Sequence, residues 1–120
     1  MRYLLTVYAD ETLMPDTADA HSAAAYAMSP PFVAYKEALE KAGAYLGGDR
    51  LRPAATATTL RVNDGKTELL NGPYVDTKEQ LGGYFIIEAP DHDAALAWAS
   101  RCPGAAIGAV EVRPIWEKQQ

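Results

Sequence analysis

Residues 83–102, GYFIIEAPDHDAALAWASRC, compress a strand, a helix cap and a helix into one short stretch. Residues 83–89 are the most apolar run of the chain and read as a buried strand. Asp91 then stands where an N-cap belongs, and residues 92–102 follow with Ala95, Leu96, Trp98 and Ala99 on an apolar side. Pro103-Gly104 reads as the stop. Residues 109–116 form the next strand, with Val110 and Val112 facing one way and Glu111 and Arg113 the other. The order is strand, helix, strand. Whether an equivalent unit precedes it decides the fold.

One does. Residues 2–9 alternate as a strand, with Tyr3, Leu5, Val7 and Ala9 on one face and Leu4, Thr6 and Tyr8 on the other. A polar, acidic loop over 10–20 and a helix-prone but narrowly apolar stretch over 21–28 follow. A firmer helix begins at Ser29 as N-cap, with Pro30 and Pro31 in its first turn, and Phe32, Tyr35, Leu39 and Ala42 share a face before Gly43 ends it. Ala44-Tyr45-Leu46 reads as a weak strand, and Gly47-Gly48-Asp49 leads into an irregular stretch with Pro53. Residues 56–62 and 66–70 flank Asn63-Asp64-Gly65, a strong hairpin signal because these residues tolerate positive φ. The order β-α-β-(hairpin)-β-α-β is that of an α+β, ferredoxin-like (split βαβ) fold with an inserted hairpin, in one domain over residues 1–120.

Composition narrows the function classes. The chain has 120 residues, is 48% hydrophobic and 22% charged, and carries a formal charge of −5. That balance opposes nucleic-acid backbones and anionic membranes, whose ligands are basic. The N-terminal apolar stretch is short and runs into Asp10-Glu11, so it reads as a strand and not as a leader, and no run suffices to span a bilayer. The single cysteine, Cys102, excludes an intramolecular disulfide and a multi-cysteine zinc site and fits a reducing, cytoplasmic setting.

Several motifs dissolve on inspection. Gly65-Lys66-Thr67 mimics the end of a phosphate-binding loop, but position 60 is Leu60 and Lys66 opens a strand. Gly82-Gly83-Tyr84-Phe85 mimics an RNA-binding strand but lacks the leading basic residue. His21, His92 and Cys102 match no metal-ligand spacing, and Asp91-His92-Asp93 is explained by capping. Cys102 reads as inert packing, so no metal and no cofactor is expected. What remains is Asn71-Gly72-Pro73-Tyr74-Val75-Asp76-Thr77-Lys78-Glu79-Gln80-Leu81-Gly82-Gly83-Tyr84, a polar connection long for a small domain. Asp76, Lys78 and Glu79 are the candidates there for acid, base or anion contacts. The equally physical alternative is a turn, a cap and a close backbone approach.

That segment, with Tyr3-Leu4-Leu5, Tyr8-Ala9-Asp10, Pro53-Ala54-Ala55-Thr56-Ala57-Thr58-Thr59 and Val110-Glu111-Val112-Arg113-Pro114, closely resembles the YCII-related proteins of the DGPF branch, from Met1 to about Ile115. The name-giving motif reads Asn71-Gly72-Pro73-Tyr74 here, which argues against an obligatory acid or base at position 71. The histidine–aspartate pair of the YciI branch is not reproduced: Cys102 stands before Pro103, and only His21 could correspond to the histidine. The resemblance implies a dimeric α+β barrel, in which two open sheet faces pack together, and a link to sigma-factor signalling. Physical reasoning independently favours a homodimer, since two helices cover one sheet face only.

The leading expectation is therefore a homodimer that binds a small molecule near an interface cleft. An acid–base enzyme of similar architecture and a module binding a sigma-factor-linked protein are the alternatives. The expected site is Tyr8, Asp76, Lys78, Glu79 and Arg113. Tyr8 and Arg113 lie on strands that neighbour each other in a ferredoxin-like sheet, and the 71–82 loop has to reach them.

Overall fold

The computed structural model describes residues 1–13 and 30–117. Its regular elements are β1 (Arg2–Asp10), α1 (Pro30–Lys41), β2 (Tyr45–Arg50), β3 (Thr58–Asn63), β4 (Lys66–Asn71), β5 (Glu79–Glu88), α2 (His92–Arg101), α3 (Pro103–Ile107) and β6 (Gly108–Pro114). Four strands form one antiparallel sheet in the order β2-β5-β1-β6, and β3-β4 form a separate two-stranded ribbon. The architecture is α+β, and the order is the one a split βαβ unit produces. The expected helix over 21–28, and His21 with it, lie outside the described residues.

The sheet buries one face. On β1 Tyr3, Leu5, Val7 and Ala9 are buried, while Leu4, Thr6, Tyr8 and Asp10 are half-buried on the opposite face. Phe85, Ile87 and Ala89 continue the buried side, and α1 and α2 supply Tyr35, Leu39, Ala95 and Ala99 against it. Tyr35 packs edge-on to both Phe85 and Trp98, and its hydroxyl donates to the Trp98 carbonyl at 2.7 Å. That bond gives a buried polar group its partner, as burial requires. Asp91 caps α2, its carboxylate accepting from the Ala94 N–H at 2.8 Å. No helix among the described residues is long and apolar enough to cross a membrane.

The structure corrects the sequence reading at three boundaries. Gly47-Gly48-Asp49 is not the start of an irregular stretch: β2 runs on to Arg50 beside β5. A Cβ at Gly48 would lie 2.8 Å from the Tyr84 carbonyl oxygen and 2.9 Å from the Phe85 ring, so the glycine is what lets the edge strand stay close. Pro103-Gly104 does follow the end of α2, at Arg101, but it also opens a second short helix, α3, that the sequence reading did not foresee. Pro103 occupies the first turn of α3, where its missing N–H costs nothing. The loop expected over 71–82 is shorter, because Glu79, Gln80 and Leu81 already pair with Asp10, Ala9 and Tyr8. The hairpin turn is as expected, with Asp64 and Gly65 both at positive φ (49° and 77°).

Candidate functional site

β1 and β5 lose register between Val7 and Tyr8: Val7 pairs Gly83, Tyr8 pairs Leu81, and Gly82 is the extra residue. Such a bulge re-aims the strand end. Beyond it Asp10 and Glu79 stand directly opposite each other, on the sheet face that the helices leave open. On the other side of β1, Tyr8 pairs with Ala109 at the start of β6. The open face thus ends in a cluster of side chains from β1, β5, β6 and the segment leading into β5.

A cavity of about 650 Å³ opens at this end of the sheet. Tyr8, Asp10, Thr77, Lys78 and Glu79 form its polar lining, and Ile107 and Ala109 an apolar wall. The size lies within the range of small-molecule sites.

The segment leading into β5 is braced. The Thr77 hydroxyl donates to the Glu79 carbonyl at 2.6 Å, and the Gln80 side-chain amide, itself buried, donates to the Thr77 carbonyl at 2.7 Å. Lys78 is thereby presented at the cavity with its amine 3.9 Å from Asp10 Oδ2. The lysine side chain is 85% exposed, the aspartate only 16%. Asp10 Oδ1 accepts from both the hydroxyl (2.7 Å) and the backbone N–H (3.0 Å) of Thr12. Those two bonds, the hydroxyl foremost, hold the Asp10 carboxyl below its ordinary range against the opposing effect of partial burial, with Lys78 adding to them. At neutral pH it is an acceptor, not an acid.

The structure brings together three of the five expected residues, Tyr8, Lys78 and Glu79. It leaves two apart. Asp76 is exposed and outside the lining. Arg113 is on the open face, but it pairs with Leu4, four residues along β6 from Ala109 and hence about 13 Å away at strand spacing. Its guanidinium lies 2.8 Å from Glu111. Asp10, Thr77, Ile107 and Ala109 went unread. For Asp10 the signal existed: the alternation that puts Leu4, Thr6 and Tyr8 on one face continues to it. Ile107 depends on α3, which composition hid, whereas Ala109 lies at the start of the strand already read over 109–116.

Asn71-Gly72-Pro73-Tyr74 forms a clasp at the base of the ribbon. Gly72, at φ 121°, donates its N–H to the Ala57 carbonyl at 2.8 Å, and its own carbonyl accepts from the Thr59 hydroxyl at 2.9 Å. The Tyr74 ring lies under the Arg61 guanidinium at 5.1 Å, and its hydroxyl accepts from that group at 2.8 Å. An aromatic ring is what this stacking needs, and no carboxylate at position 71 enters it.

Of the residues weighed for nucleophilic or metal chemistry, Cys102 is 2% exposed, and burial pushes its thiol pKa up. His92 opens α2 and faces the Tyr3 ring at 5.9 Å.

Comparison with known proteins agrees with this architecture. The sequence matches the YCII-related domain over residues 1–119. It is also 41% identical over 68 residues to an uncharacterized protein of Rhizobium meliloti (strain 1021), an alignment covering 55% of each chain. The matched stretch thus spans about half the length of that relative.

Proposed function

The chain belongs to the YCII-related family, and from that premise we propose that it works as one domain, a cytoplasmic homodimer that binds a small organic molecule in the cavity at the end of the open sheet face. The observation that carries this reading is the cavity itself. Strand ends and a braced connection converge on about 650 Å³ lined by both polar and apolar side chains. Tyr8, Lys78 and Glu79 are its contact residues. Asp76 and Arg113 are peripheral to it.

The dimer is supported by the face on which the cavity lies. Leu4 pairs with Ile86, and Thr6 with Tyr84, across β1 and β5, and α1 and α2 pack against the opposite side. Packing two such faces together would make the dimeric α+β barrel and close the cavity's open flank. Catalysis has less support. An acid held as ionised as Asp10 is a poor proton donor, and Cys102 is packed away.

A second reading, a module that binds another protein, is favoured by one observation. The ribbon turns Leu60, Val62 and Leu69 to solvent on a single face. Light scattering and a fragment screen by thermal shift separate the two. A particle of twice the 13.0 kDa chain mass, stabilised by compounds whose effect Tyr8→Ala removes, supports the first. A monomer indifferent to small molecules defeats it.

A further inference from the structure

Asp10 and Glu79 are paired in register across β1 and β5, which sets two acidic residues side by side on the open face. Both line the cavity, and among the described residues they leave it one negative charge in excess, since Lys78 is the one cation in the described lining. Lys78 meets this charge only loosely. Its amine is 3.9 Å from Asp10 Oδ2, beyond hydrogen-bond length, and most of its side chain is in solvent. Both Thr12 bonds fall on Asp10 Oδ1, so among the described residues Oδ2 has no hydrogen-bond donor, on a side chain only 16% exposed.

We propose that the cavity takes a small organic cation, a protonated amine, seated between Asp10 and Glu79 with its apolar body against Tyr8, Ile107 and Ala109. The inference rests on the reading of this cavity as the binding site and adds the chemical class of its ligand. An ammonium group supplies up to three donors to two carboxylates. It balances the excess negative charge of the lining and displaces Lys78, whose loose contact is readily given up. The apolar wall selects an organic cation over a hydrated metal ion, which would find there no oxygen ligands in place of its water.

The test is a nuclear magnetic resonance titration of the isotope-labelled chain with three probes of one shape: benzylamine, benzyl alcohol and benzoate. Benzylamine is expected to shift the Tyr8 and Ala109 amide signals, with affinity falling at least tenfold in Asp10→Asn and in Glu79→Gln. Lys78→Met is expected to tighten its binding. Glu79 is exposed, so Glu79→Gln keeps the measurement available should Asp10→Asn misfold. If benzoate or the alcohol shifts these amides more than benzylamine does, the amine class is wrong and the site stands. The same holds if Glu79→Gln binds benzylamine as tightly as the parent chain. If no probe shifts them, the site fails, and the inference with it.

Discussion

The four-stranded sheet and the β3–β4 ribbon are written in the same alternating code but meet different surroundings. In the sheet, β1 sends Tyr3, Leu5, Val7 and Ala9 into a core closed by two helices, and Leu5 is fully buried. In the ribbon, Leu60 pairs with Leu69 and Val62 with Thr67 on one face, while Arg61 pairs with Glu68 on the other. Yet Leu60 is 57% exposed and Leu69 66%. An alternating pattern specifies which side chains share a face; it does not say that anything will cover that face. A two-stranded ribbon is marginal alone in water, and this one is held at its base by the Gly72 bonds and the Tyr74–Arg61 stack.

Single substitutions in the two regions should diverge most. Leu39→Ala, at a fully buried position, is expected to cost about 2–5 kcal/mol in urea unfolding. Leu60→Ala and Leu69→Ala should cost less than about 0.5 kcal/mol, as for other exposed sites. A core-sized loss at Leu60 or Leu69, growing as the protein is concentrated, would show that a second copy covers the ribbon and would end the contrast.

A smaller effect separates the two faces of the main sheet. Thr6 lies on the open face between Glu111 and Tyr84 in register, and its hydroxyl oxygen is buried with no partner among the described residues. Replacing it with the near-isosteric Thr6→Val removes an unpaired polar atom and should stabilise the chain by about 1 kcal/mol. Destabilisation or loss of the dimer would mean that the hydroxyl finds its partner in a second copy or a ligand.

Much of this was legible beforehand because its causes are local. The Asp91 cap, the Asp64-Gly65 turn and the alternation of β1 each depend on a few adjacent residues. Three features were not legible because they depend on residues far apart in sequence. β2 persists through two glycines only because β5 lies against Gly48. Glu79 belongs to a strand because Asp10 offers it a partner. The Asn71–Tyr74 motif resembled a functional loop, and its role became clear only once Arg61 was seen above Tyr74. The cavity was half-legible for the same reason: Tyr8, Lys78 and Glu79 are polar residues at strand ends, whereas Ile107 and Ala109 are apolar and arrive by packing.

The site's charge should be visible in the acid limb of stability. The Asp10 carboxyl is held low in the folded chain by Thr12. Its contribution is therefore present above its unfolded value near 3.8 and is lost as the pH falls through the lower folded one. Asp10→Asn, followed by thermal unfolding between pH 2 and 6, should flatten that part of the curve and leave the neutral limb in place. An unchanged acid limb would mean that the Thr12 bonds do not persist in solution.

The smallest effect is expected at Arg113, and it bears on the dimer most directly. The Arg113–Glu111 pair is short, at 2.8 Å, but its side chains are 72% and 49% exposed in the single chain. Such a pair contributes less than about 1 kcal/mol, because water screens the attraction and ordering two long side chains costs entropy. Arg113→Ala should then leave the melting temperature nearly unchanged and, with Arg113 outside the cavity lining and four residues along β6 from Ala109, leave benzylamine binding unchanged as well. That expectation belongs to the isolated chain. If two open faces pack together, β6 carries the same pair into the interface, and deleting Arg113 strands the Glu111 carboxylate among buried groups. The loss then rises to about 3–5 kcal/mol and appears as weakened association at low protein concentration. Comparing Arg113→Ala with the double variant Arg113→Ala/Glu111→Ala distinguishes the cases. At an interface, removing the second charge recovers most of the loss; on a solvated face, both variants behave like the parent chain.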